Sequence, residues 1–144
     1  MIVVFDLDNT LTDEAGRKLR PGITALLEKL NAKGYELALW TQSPRARARA
    51  VLKDHGLERH FGCFVFREDY DPENRDPPKD IRGISGGFLV DDNPAHVNFV
   101  HRLGLGGFLV APYRGSPYTN TSELVRLYRR VRAARWRQRL LGGT

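Results

Sequence analysis

Among 144 residues there is one cysteine, Cys63. That excludes an intrachain disulfide and a cysteine zinc site, and it fits a reducing compartment. No apolar run approaches the ~20 residues that a membrane span needs. The N-terminus lacks the basic start and long apolar core of a secretory signal. There is no internal repeat and no linker long enough to divide domains. The histidines pair as His55 with His60 and His96 with His101, which is not the i, i+4 spacing of a helical metal site. Acids are scarce at one end: residues 112–144 hold 8 Arg and one Glu, a balance of +7, whereas residues 1–111 hold 15 Lys+Arg and 16 Asp+Glu, a balance of −1. These absences point to a single soluble, cytoplasmic domain over residues 1–144, with its basicity confined to the C-terminal helix.

What is present alternates. Five short apolar runs, at 2–5, 37–40, 63–66, 88–90 and 108–110, lack polar alternation, as strands buried on both faces of a parallel sheet do. Helical patterns lie between them. Ile23, Leu26, Leu27 and Leu30 share a stripe that ends before Gly34. Ser43 and Pro44 are placed as an N-cap and first helical residue, and Asn93 and Pro94 repeat the signal. Asn120, with Glu123 three residues on, caps a last helix over 120–141. Strand alternating with helix predicts an α/β fold with a five-stranded parallel sheet and helices on both faces. Residues 69–79, rich in Pro and charge, are expected to form an exposed loop.

In such sheets functional groups gather at the carboxyl ends of the strands. Asp6 and Asp8 follow the first strand, Thr41 the second, and Asp91 and Asp92 the fourth. Lys79 falls in the loop after the third. Four carboxylates brought to one edge repel without a cation, and hard oxygen donors at that density favour Mg²⁺. A carboxylate beside a metal can attack phosphorus, and a second one can move the proton. A hydroxyl and free N–H groups at a helix start suit phosphoryl oxygens, and a lysine balances the transferring charge.

The residues FDLDNTL, LALWTQS, PPKDI and FLVDDNP, in that order, resemble the four motifs of the haloacid dehalogenase superfamily. The resemblance implies a three-layer, Rossmann-like phosphatase fold. Asp6 would be the nucleophile, forming an aspartyl-phosphate and binding Mg²⁺. Asp8 would be the general acid/base, with its carbonyl on the metal. Thr41 and Lys79 would bind phosphoryl oxygens. Asp92 is the choice for direct metal ligand and Asp91 the accessory, with exchange of the two left open. Gln42 and Arg45 are further substrate-binding candidates, Arg45 being preferred to Arg47 and Arg49. The short segment after Thr10 leaves room only for a small flap near Glu14, so no cap domain is expected. The capless branches most similar are the carboxy-terminal-domain (NIF-like) and magnesium-dependent phosphatases.

An open site and seven arginines between Arg126 and Arg139 favour a large or polyanionic substrate, either a nucleic-acid end phosphate or a phosphoprotein. Two rivals predict different things. A receiver-like phosphoacceptor domain would carry its phosphorylated Asp after the third strand, where none stands. A catalytically idle nucleic-acid-binding module would use only the arginine helix.

Overall fold

The computed structural model describes residues 1–142. The strands are β1 (Ile2–Phe5), β2 (Glu36–Trp40), β3 (Cys63–Val65), β4 (Gly86–Asp91) and β5 (Gly106–Leu109). They form one parallel sheet in the order β3-β2-β1-β4-β5. The helices are α1 (Ile23–Ala32), α2 (Arg45–Asp54), α3 (Arg67–Tyr70), α4 (Pro94–Arg102) and α5 (Ser122–Leu141), with 3₁₀ turns at Glu58–His60 and Ile81–Ile84.

Successive strand side chains point to opposite faces. Val3, Phe5, Leu37, Leu39, Phe88 and Val90 pack with Leu27 and Leu30 of α1, Leu52 of α2, and Leu127 and Val131 of α5. Val4, Ala38, Trp40, Val65 and Leu89 pack on the other face with Ile81 and Val100. Both faces are covered, which is why the runs show no alternation. The result is the expected three-layer Rossmann-like fold. The chain builds outward from β1 to β3, then crosses back to β4. Strand order therefore reverses between β1 and β4, and that crevice is where such sheets bind ligands. Phe5 pairs with both Leu39 and Val90, so β1, β2 and β4 finish level. Between β1 and α1 the chain folds back as a flap tied by single bridges, Asp8 with Thr12 and Thr12 with Leu19, and no cap domain is inserted there.

Several local expectations shift. Helix α2 starts at Arg45, with Pro44 as the cap residue. Ser43 instead accepts from Arg47 through its Oγ at 3.0 Å. Asn93 does cap α4, accepting from the Ala95 N–H at 3.0 Å, with Pro94 at the first turn. Asn120 accepts from the Ser122 N–H at 2.9 Å, just ahead of α5. Glu123 does not close a capping box; it accepts from the Ala111 N–H at 3.0 Å and pairs with Arg20 at 3.3 Å. The segment after β3 is not exposed throughout: α3 opens it, and Asp71 and Lys79 are buried. β4 begins at a glycine pair ahead of its apolar residues. A Cβ on Gly86 would stand 2.9 Å from both Ile81 and Val4, so only glycine lets the 3₁₀ turn and β1 close this tightly.

Candidate active site

Asp6 leaves the end of β1 into the switch-point crevice, its N–H bonded to the Val90 carbonyl at 3.0 Å. The turn that follows winds around one acceptor, the Leu7 carbonyl, which takes the N–H groups of Thr10, Leu11 and Thr12. Asn9 sits at φ 64° in this turn, a conformation that Asn tolerates better than most residues. The turn swings the Thr10 hydroxyl back onto Asp6 Oδ2 at 3.2 Å and leaves it 3.4 Å from Asp92 Oδ1. Buried Arg20 locks the turn from below. Its guanidinium donates to the carbonyls of Thr10 (2.6 Å), Asn9 (2.9 Å) and Ala111 (2.6 Å).

Lys79 arrives from the loop after β3. Its Nζ donates to Asp6 Oδ1 at 2.9 Å and to Asp91 Oδ2 at 2.7 Å, and the side chain is 2% exposed. The other Asp91 oxygen accepts from the Asn93 N–H at 3.0 Å. Both Asp91 oxygens are thus engaged by the protein, whereas Asp92 meets the long Thr10 contact and lies beside Asp6. Carboxylate oxygens of Asp6, Asp91 and Asp92 lie within 4.8 Å of one another. Burial pushes the Asp6 carboxyl up to about 6 against the pull of Lys79. Burial likewise raises Asp91 and Asp92, and the paired acids hold Lys79 charged against its own burial. Asp6 and Asp91 therefore share the Lys79 ammonium, with Asp92 close beside them. The set is all oxygen, and the nearby imidazole of His96 accepts from the Lys79 backbone N–H through Nδ1 at 3.2 Å. These residues fit a hard divalent ion such as Mg²⁺.

The remaining expected residues divide. Thr41 is buried beside the crevice, and its Oγ1 accepts from the Ser43 N–H at 3.0 Å, which leaves its own proton to donate. Asp8 is partly exposed and faces Arg47, whose guanidinium donates to Asp8 Oδ2 at 3.0 Å and stands in an ion pair 2.9 Å from Oδ1. Gln42 lines the cleft, but its amide is held by Asp71, Asn74 (3.1 Å) and the Tyr70 hydroxyl. Its place is to brace the loop after α3. Arg45 does not reach the cleft: it pairs with Asp69 at 2.6 Å and lies 5.5 Å from the Phe66 ring centroid. Its backbone N–H is taken by the Glu68 carboxylate at 2.9 Å, so the start of α2 is already satisfied by an anion from the protein.

Asp6, Asp8, Thr41, Gln42, Lys79, Asp91 and Asp92 line one cleft of about 470 Å³ together with Asn74, Asp76, Asn93 and His96. Sequence reasoning missed Thr10, Arg20 and His96, and of the α2 arginines it preferred Arg45, whereas Arg47 is the one that meets Asp8. For Arg47 a signal existed: it stands four residues after Ser43, one helical turn, and so returns to the site edge. For Arg20 and His96 no local pattern distinguishes a buried anchor from a solvated side chain.

A chain ending β1 in an acid pair, β4 in another, and placing a buried lysine between them has the layout of a phosphoryl-handling site. The chain belongs to the NLI interacting factor-like phosphatase family, whose model matches residues 1–135. It is thus a phosphatase of the haloacid dehalogenase superfamily. No curated protein matches the sequence. Among solved structures, the chain is similar to a putative beta-phosphoglucomutase from Thermotoga maritima, with TM-score 0.64, 15% identity, and coverage of 90% of this chain and 99% of that one. A hydrolase from Streptococcus pneumoniae has TM-score 0.65 and 13% identity, covering 89% and 97%. A chain of a Pnkp1/Rnl/Hen1 complex has TM-score 0.59 and 21% identity, covering 75% of this chain. The present chain spans 45% of that one. At these identities the likeness is one of fold.

The buried acids give a pH signature. The Asp6 carboxyl lies at about 6 in the folded protein, above its ordinary 3.8. Its contribution to stability is full below pH 3.8 and is lost as pH rises through 6. Without added metal, the stability of wild type relative to Asp6→Asn is expected to fall by about 2–3 kcal/mol between pH 4 and 7. Urea titrations of both proteins measure this difference, and added Mg²⁺ should recover it at pH 7. Parallel pH curves for the two proteins would contradict the desolvated site.

Proposed function

We propose that this protein is a Mg²⁺-dependent phosphomonoesterase acting in two steps through an aspartyl-phosphate. What carries the reading is the meeting of Asp6, Asp91 and Asp92 at the β1/β4 switch point, with Lys79 paired to the first two.

Asp6 is the nucleophile. With its carboxyl at about 6, it is largely ionised at pH 7. A carboxylate oxygen of Asp6 bonds to phosphorus as the bond to the leaving oxygen breaks, and Asp8 delivers a proton to that oxygen. In the second step Asp8 takes a proton from water as water attacks the acyl-phosphate, and phosphate leaves with Asp6 restored. Mg²⁺ would be held by Asp6, Asp92 and the Asp8 carbonyl, and it supplies charge neutralisation between the attacking carboxylate and the phosphoryl group. Asp92 is preferred over Asp91 because the Asp91 oxygens are committed to Lys79 and the Asn93 N–H. Lys79 and the Thr41 hydroxyl face the phosphoryl oxygens, and Asp91 keeps Lys79 in place.

Arg47 positions Asp8. It also donates to the Ser43 hydroxyl at 3.0 Å and to the flap carbonyl of Glu14 at 2.8 Å. Arg47→Ala frees both Asp8 and the flap. It is expected to lower kcat by roughly 10–100-fold with KM little changed. A steady-state comparison that instead finds KM carrying the loss would make Arg47 a substrate contact.

An uncapped cleft admits the end of a large substrate, and the basic C-terminal helix favours a polyanion. A nucleic-acid end phosphate is the leading substrate and a phosphoprotein the second. The test is phosphate release with Mg²⁺ from an aryl phosphate, phosphopeptides, and oligonucleotides phosphorylated at either end. Release from the aryl phosphate is the minimum result. A folded protein inert on the whole panel would end this reading.

A further inference from the structure

The arginine-rich part of α5 is not at the catalytic edge. Glu123, near the start of α5, touches Ala111 just past β5, at the carboxyl edge of the sheet. Twelve residues later Arg135 donates to the Lys33 carbonyl at 2.8 Å, below the start of β2. At 1.5 Å per residue the helix has travelled about 18 Å to the opposite edge. There a cleft of about 620 Å³ opens between α5, the end of α1 and the start of β2. Its lining alternates cations with rings. Arg135 stacks 4.4 Å from the Tyr35 centroid, and Arg132 lies 5.9 Å from that of Tyr128, whose ring Lys29 also approaches from outside the cleft at 4.0 Å. Trp136 stands beside them, 63% exposed. Among the described residues none of the arginines from Arg126 to Arg139 is in an ion pair. A fold that neutralises Arg20, Arg47 and Lys79 with acids leaves this cluster unbalanced.

We propose that this cleft is a docking groove for single-stranded nucleic acid, separate from the catalytic cleft. Unpaired arginines track a phosphate backbone, and an exposed indole between them offers a stacking face that every base can use. Duplex DNA hides its base faces, and an acidic peptide has no need of a free ring. The cations line a concavity rather than a flat face, which suits a strand better than a bilayer. The proposal goes beyond the hydrolytic reading and stands without it. If both hold, the groove retains the body of a strand whose end phosphate is processed at the far edge.

The experiment uses the whole chain without metal and an unphosphorylated single-stranded oligonucleotide of about twelve nucleotides, within the span such grooves cover. Trp40 is 6% exposed and Trp136 is not shielded, so quenching of intrinsic fluorescence reports the groove. Binding with quenching is expected, weakening as salt rises. Arg132→Glu with Arg139→Glu should lower affinity at least tenfold and flatten the log–log salt slope by about 1.4, the share of two phosphates on a single strand. Trp136→Phe should abolish the quench. Neither variant touches the catalytic cleft, so aryl phosphate hydrolysis should match wild type, and this also shows that the variants are folded. Unchanged affinity in the double variant overturns the proposal. So does a wild type that binds phosphatidylserine vesicles but no oligonucleotide, or neither. An inert enzyme that still binds as described would remove the hydrolytic reading alone.

Discussion

Asp6→Asn is expected to abolish turnover of every phosphomonoester, by on the order of 10⁴-fold or more, while the fold is retained. The amide matches the carboxylate in shape but has no charge to push onto phosphorus. The same change should not harm stability at pH 7 in the absence of metal. It removes one of three crowded acids and leaves Lys79 to pair with Asp91 at 2.7 Å. Loss of activity with equal or raised thermal stability is thus the combined signature of a group kept for chemistry at a cost in folding. On the proposed two-step mechanism, Asp8→Asn should separate the half-reactions. With an aryl phosphate the leaving group needs little help, so Asp6 is still phosphorylated, but water is no longer deprotonated. A burst of phenolate followed by slow turnover is expected, with steady-state loss of about 10²–10⁴-fold. An Asp6→Asn protein that keeps measurable turnover above background would show that another group attacks phosphorus.

Lys79→Met is expected to destabilise the protein by about 3–5 kcal/mol, because it strips the counterion from buried acids and leaves their charges unpaired. For a chain of this size the midpoint should drop by roughly 10–15 °C. Both Lys79 partners are themselves buried, Asp6 at 8% and Asp91 at 1% exposure, so water cannot replace the ammonium. Adding Asp6→Asn in the same chain should restore part of the loss, since one orphaned charge is then removed. Lys79→Arg keeps the charge and should lose less stability than Lys79→Met, though it should still impair activity because the planar fork does not fit a point-charge site. Thermal melts without added metal measure all of these. A Lys79→Met protein that melts with wild type would mean that the acids are neutralised by some other route.

The contrast between these residues and Arg45 shows which placements follow from local order and which do not. Asp6 and Asp91 directly follow unbroken apolar runs, with Asp8 and Asp92 one or two residues on, and a run that must be buried carries whatever follows it to the sheet edge. That logic needs no tertiary information. The choice between Arg45 and Arg47, about 200° apart around α2, depends on which face of the helix turns to the cleft, and only packing sets that. Arg45 turns to Asp69 and Arg47 to Asp8. Lys79 was legible from the resemblance, but its burial was not, because its own loop is polar and only Asp6 and Asp91, brought from β1 and β4, make a buried ammonium tolerable. The glycines that open β4 and β5 hid the starts of those strands, since close approach by Ile81 and Phe88 is invisible in the order of residues.

The order of residues by itself determined the alternation of strands and helices, the edge at which the acids collect, and the basic character of α5, because these follow from periodicity and from local charge. Only the tertiary structure decided which acid keeps a free oxygen, which arginine meets Asp8, and that the arginines of α5 lie at the edge opposite the catalytic cleft. Those outcomes depend on distances between segments remote in the chain, and on the cost of burying a charge without a partner, which no local pattern encodes.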